Sequence, residues 1–185
     1  MDIYLIIVIV LIALALSDLM VGVANDAVNF LNSAVGSKAA PLFVIMIVAS
    51  LGVFVGATFS GGMMEVARKG IFHPDQFYFS EIMVIFLAVM VTDVILLDVF
   101  NTFGMPTSTT VSLVFELLGA AVAVTLIKIF QSETETILQM GKYINTEKAL
   151  AIISGILVSV ILAFTAGAII QYISRLIFSF NYQKT

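Results

Sequence analysis

Asn101-Thr102-Phe103-Gly104-Met105-Pro106-Thr107-Ser108-Thr109-Thr110 interrupts an apolar stretch that runs from Glu81 to Phe100 and resumes from Val111 to Phe130. Gly104 and Pro106 stop one helix, and the hydroxyl residues after them cap the start of the next. Each arm has the roughly 20 residues that a bilayer span needs. The segment therefore reads as a broken helix, with arms at 81–100 and 111–130 around a tip at 101–110 that either stays within the bilayer or passes through it. Working outward, further spans are expected at about 3–24, 41–64 and 149–178. Gly52 and Gly56 add a GxxxG spacing, which predicts a helix contact. Of the 185 residues 61% are hydrophobic and 11% charged, and mean hydropathy is +1.16. Soluble domains lie near 45–50% and about 25%, so a water-soluble globule is excluded. The expected fold is an all-α integral membrane protein, with residues 1–185 as one transmembrane unit of the cell membrane.

Several chemistries drop out on composition. Cysteine is absent and His73 is the only histidine, which removes thiolate and multi-histidine metal sites. Eight Lys and Arg against twelve Asp and Glu leave no basic face for nucleic acid. No nucleophile–base pair or phosphate-loop glycine pattern is present, so an enzyme is not expected, and neither is a cofactor. The first apolar run follows Met1 and acidic Asp2, unlike a signal peptide. The crossings add to an odd number, which puts the termini on opposite sides and would invert any second copy of the unit, as in inverted-repeat transporters. Arg68, Lys69, Lys128, Lys142 and Lys148 share the N-terminal side, against Lys38, Arg175 and Lys184, a lean towards a cytoplasmic N-terminus.

Two polar islands lie within this apolar sequence. In the first, Asp18, Gly22, Asn25, Asn29 and Asn32 form one narrow helical stripe, with Asp26 about 80° from its start. A carboxylate and carboxamides together offer hard oxygen ligands suited to Na⁺ or a proton. The alternative is a helix that ends near residue 24, with Asn and Ser as caps. In the second island, Thr107, Ser108, Thr109 and Thr110 stand at a helix N-terminus, where hydroxyls and N–H groups suit an oxyanion; an ordinary capped turn is the competing reading. Between Lys69 and Lys128 there is no Lys or Arg. An anion held there lacks a side-chain cation, and a bound Na⁺ at Asp26 supplies the missing charge. Asp98 shares a face with Asn101 and Thr102 and, with Asp18, is a candidate for an additional ion site. Asp93 and Glu116 are either coupling-ion ligands or protonated carboxyls bonded to neighbouring helices.

These islands resemble the two signature segments of the inorganic phosphate transporter family, the PiT-type sodium–phosphate symporters. Val23-Ala24-Asn25-Asp26-Ala27-Val28-Asn29, followed by Asn32-Ser33-Ala34-Val35-Gly36-Ser37, is similar to the family's Gly-Ala-Asn-Asp-Val-Ala-Asn and Gly-Thr-Ser-Val-Gly-Ser-like stretches. Asn101 to Val111 is similar to its Asn-x-x-Gly-x-Pro-Val-Ser-Thr-Thr-His. The departures are Val23 for glycine, Leu31 and Asn32 for a Phe-Gly pair, and Val111 for histidine. The resemblance implies that Asp26, Asn25 and Asn29 coordinate Na⁺, and that Ser108, Thr109 and Thr110, with Thr107 and Asn101 nearby, hold phosphate at the tip of a re-entrant hairpin. It also implies a partner, since the family carries two inverted copies of this unit: a second half, or an antiparallel protomer in a dimer. A lone copy is not expected to transport. Cation-coupled phosphate symport by alternating access is the leading expectation. A permease for sulfate or another oxyanion is the alternative within this class, and a non-transporting membrane assembly subunit the alternative outside it.

Overall fold

Two of the helix ends are set by left-handed residues. At the end of the first helix Lys38 adopts φ 53°, with Ala39 N–H bonded to Ala34 C=O and Lys38 N–H to Val35 C=O. At the hairpin tip Gly104 adopts φ 64°, with Met105 N–H on Phe100 C=O and Gly104 N–H on Asn101 C=O. Both are Schellman stops, each followed two or three residues later by a proline that prevents the helix from resuming. The computed structural model describes residues 3–61, 65, 70–132 and 136–178. Positions 62–64 of the expected second span, Arg68, Lys69 and Lys184 lie outside them.

Five helices make up the described chain: α1 Ile3–Gly36, α2 Leu42–Thr58, α3 Phe79–Thr102, α4 Thr109–Gln131 and α5 Thr146–Phe178. Short 3₁₀ turns cover Pro74–Gln76 and Ile137–Lys142, and the described residues contain no strand beyond one Phe72–Ile144 bridge. The all-α membrane architecture expected from composition is the one observed. Apolar segments long enough to cross a membrane lie at Ile3–Ala27 and in α3, α4 and α5. At 17 residues α2 is shorter, about 26 Å long. The helix begun at Ile3 does not end near residue 24. It runs unbroken to Gly36, because single Asn, Asp and Ser residues each cost a helix only about 0.5–0.7 kcal/mol.

The chain divides after Thr146 into two units. In the first, α1 and α3 run parallel in constant register: Tyr4 stacks near Phe79 (5.6 Å between rings), Asp18 meets Asp93, and Asn25 meets Asn101. α4 returns antiparallel to α3. Ile85, Val89 and Leu97 of α3, and Val114, Leu117, Ala121 and Ile129 of α4, are buried at helical spacing. The open end of this hairpin is tied by Lys128, which bonds Glu81 and the Gln76 carbonyl, both at 2.9 Å. Lys128 also lies 4.7 Å from the Tyr78 ring centre. His73 and Asn145 close the loop pair through backbone bonds to Tyr143 and Ile71. The helix ends carrying Tyr4, Glu81 and Lys128 thus lie together. Gly52 and Gly56 face open space within 4 Å, so the face their spacing marks is unoccupied in this unit. The second unit is α5, 33 residues long, in which Ser159 and Thr165 turn their hydroxyls back onto the Ile156 and Ile161 carbonyls. That arrangement keeps polar groups satisfied in an apolar helix.

Candidate functional site

The parallel register of α1 and α3 delivers the two polar islands to one place. Asn25, 5% exposed, is the hub. Its Nδ2 donates to Asn101 Oδ1 (2.7 Å) and more weakly to the Met105 carbonyl (3.4 Å). Its Oδ1 accepts from Thr107 N–H at 3.0 Å. Acceptors on one side and an N–H on the other leave only one orientation for this amide. Asn101 answers in kind, its Nδ2 donating to the Val21 carbonyl (3.3 Å). The island on α1 and the hairpin tip are therefore zipped together by carboxamides, which serve as donor and acceptor at once.

One helical step further, Thr109 Oγ1 donates to Asp26 Oδ2 at 2.8 Å. Gly22 lies against this contact: a Cβ there would stand 3.4 Å from the Thr109 methyl and 3.6 Å from Leu97 Cδ1, ordinary contact distances that leave no room for a larger side chain. Ser108 is the N-cap of α4, its hydroxyl oxygen accepting from Val111 N–H (3.4 Å), so the hydroxyl hydrogen stays available. The N–H groups of Thr109 and Thr110 lie in the first turn, where a helix offers no carbonyl of its own. They stand at the positive end of α4, where a helix can receive an anion, with the hydroxyl residues Ser108 and Thr110 adjacent in sequence. The carboxylate of Asp26 stands directly beside this helix end.

The remaining candidates are distributed differently. Thr107 contributes through its backbone N–H. Asn29 is exposed on α1 and Thr110 is exposed at the start of α4. Asp18 faces Asp93 of α3, whereas Asp98 is exposed. Among the described residues no group of three or more His, Asp or Glu converges on a metal position; oxygens for a cation at Asp26 would have to include hydroxyl, carboxamide or carbonyl groups. Sequence reasoning did not single out the Met105 and Val21 carbonyls as members of the site. The glycine within the polar stripe, Gly22, was the available sign of a close approach at that level.

The profile of the phosphate transporter family matches residues 22–184 of the chain. Three archaeal proteins, each named "putative phosphate permease", are similar to part of it. The protein of Thermococcus kodakarensis is 35% identical over 98 residues, 52% of this chain and 24% of that protein. That of Pyrococcus furiosus is 33% identical over 98 residues, again 52% and 24%. That of Pyrococcus abyssi is 34% identical over 101 residues, 54% and 25%. The matched segment thus spans about a quarter of the length of these relatives. No solved structure matches the chain significantly.

Proposed function

Because this chain belongs to the phosphate transporter family, we propose that it supplies one half of a secondary transporter carrying inorganic phosphate together with a cation, Na⁺ in the first instance, by alternating access. The chain is a multi-pass membrane protein. The observation that carries the proposal is the 2.8 Å bond from Thr109 to Asp26. It ties the candidate cation ligand to the candidate phosphate donor set in a single contact.

That contact supplies a physical basis for coupling. With Asp26 ionised and bare, its charge opposes an oxyanion at the start of α4, and it holds the Thr109 hydroxyl hydrogen that the anion needs. At 4 Å, two like charges cost about 4 kcal/mol even at an effective dielectric constant of 20. A cation on Asp26, with Asn29 and neighbouring carbonyls as further oxygen ligands, reverses the sign of that term. It also weakens the hold of Asp26 on Thr109, whose hydroxyl then turns to the anion. Phosphate binds well only after the cation, and the cation is retained while phosphate is bound. We assign the donors that complete the site to a second, inverted copy of the unit or to an antiparallel protomer.

Phosphate uptake into proteoliposomes tests this reading, with and without an inward Na⁺ gradient, for this chain alone and joined to a second half. Uptake that requires Na⁺ and the second half is expected. It should survive Thr109→Ser and fall at least tenfold in Asp26→Asn and Thr109→Val. Uptake of sulfate but not phosphate would move the substrate to another oxyanion. Assembly with a partner and no uptake, insensitive to Asp26→Asn, would replace transport with a structural role.

A further inference from the structure

Seven residues before Asn25, about 10 Å along α1, carboxyl groups from three helices come together. Asp93 is completely buried and occupies a core position in the stripe formed by Ile85, Val89 and Leu97 of α3. It faces Asp18 of α1 and Glu116 of α4. The second contact follows from the antiparallel register that joins Glu81 to Lys128, twelve residues further along each helix. Among the described residues, no donor reaches either oxygen of Asp93, Asp18 Oδ1 or Glu116 Oε2, although all four atoms are buried. The nearby Ser112 has one hydroxyl hydrogen, and it donates this to Glu116 Oε1 at 2.9 Å.

Nothing basic compensates this cluster from the helices around it. α1 and α3 contain no Lys, Arg or His, and the one lysine of α4, Lys128, is held by Glu81 at the far end of the hairpin. The other carboxyls of these elements are also engaged or remote: Asp26 accepts from Thr109, and Asp98 is exposed. Carboxylates that are buried, adjacent and without donors are among the most costly arrangements a membrane interior can hold. A metal ion would require several oxygens to converge on one point, which these three carboxyls do not do. A proton requires only two facing oxygens. It removes one charge and turns one of the orphan acceptors into a donor.

We infer that Asp18 and Asp93 form an intramembrane proton-binding site, with Glu116 as the flanking acceptor oriented by Ser112. The proton resides on Asp93 and its O–H donates to the Asp18 carboxylate. The O–H bond forms when a proton arrives from water and breaks when it returns there, with no other group consumed. The site is separate from the Asn25–Asp26 contact and its existence does not depend on phosphate being the substrate.

Infrared difference spectroscopy on the full chain in lipid bilayers, at neutral pH and without Na⁺ or phosphate, tests the inference. A protonated-carboxyl C=O stretch that moves to lower frequency in D₂O is expected. It should be lost in Asp93→Asn, lost or shifted in Asp18→Asn, and retained in Asp26→Asn. If Asp93→Asn does not fold, Asp18→Asn alone decides. The inference is overturned if the parent protein has no such band, or if neither the Asp93 nor the Asp18 substitution alters it. It is equally overturned if Na⁺ at constant pH abolishes the band, since a metal cation would then be the ligand.

Discussion

Replacing Asn25 with alanine should unzip the hairpin tip from α1 while leaving the tip itself folded. The substitution removes the contacts to Asn101 Oδ1 at 2.7 Å and from Thr107 N–H at 3.0 Å, together with the weaker one to the Met105 carbonyl. Each of the two good bonds is worth about 0.5–1.5 kcal/mol net. Asn101 and Met105 are exposed, so their freed polar atoms are not sealed in a packed interior and no full desolvation penalty is added. The difference between zipped and open states should therefore fall by about 2 kcal/mol, which is about 30-fold in the open population. Amide hydrogen exchange of the protein in nanodiscs reads this directly, because Thr107 N–H is protected only through Asn25. The amides of Gly104 and Met105 are bonded within the hairpin to Asn101 and Phe100 and serve as internal controls. Expected is an acceleration of about 30-fold at Thr107 and little change at Gly104 and Met105. Equal acceleration of all three, or none at Thr107, would refute the hub role of Asn25.

The two left-handed helix stops should respond in opposite directions. Gly104→Ala, with open space around the new Cβ, should lose about 1–2 kcal/mol from the left-handed backbone alone, whereas Lys38→Gly should gain up to about 1 kcal/mol; thermal unfolding in detergent measures both. Gly22→Ala should be accepted, since its Cβ meets ordinary contacts at 3.4 and 3.6 Å. Gly22→Leu should cost about 1–3 kcal/mol by overpacking and raise Thr107 exchange as Asn25→Ala does. Lys128→Met should lower the unfolding midpoint by the equivalent of about 1 kcal/mol, with Lys128→Arg closer to the parent, because the ion pair with Glu81 is only about three-quarters buried.

The hairpin was legible because its signals are local: Gly104 and Pro106 specify the turn, and Ser108 caps the helix after it. The polar stripe on α1 was legible in part. Asp18, Gly22 and Asn25 do face neighbouring helices, but Asn29 is exposed, because periodicity shows which residues share a face and not where the neighbouring helix ends. The continuation of α1 to Gly36 was obscured for a related reason. A polar island in an apolar run looks like a break, whereas α1 is stopped by a left-handed residue backed by a proline, and neither occurs before Lys38. The Lys128–Glu81 tie and the burial of Asp93 were not legible, since each depends on the register between helices. No periodic pattern on one helix states what stands opposite it.

Charge accounting links the two polar sites. Setting aside the Glu81–Lys128 pair, α1, α3 and α4 carry Asp18, Asp26, Asp93, Asp98 and Glu116 and no compensating Lys or Arg. Such a set cannot be wholly ionised within a low-dielectric layer, so each carboxyl needs water, a donor, a proton or a cation. Asp98 is exposed on α3, outside the contacts of the described helices, and Asp26 has Thr109 as a donor. Glu116 has Ser112. Asp93 has none of these except the carboxyl of Asp18, and two carboxyl groups can bond each other only when they share a proton. On the reading proposed above, the two sites differ in what neutralises them: a cation beside the hairpin tip, and a proton further back along α1. If phosphate binds at the tip as proposed, it makes the tip more negative and strengthens its demand for a cation. It acts on the Asp18–Asp93 pair only across the intervening turns of α1. Phosphate should accordingly shift the Na⁺ dependence of the tip much more than the proton occupancy of the pair.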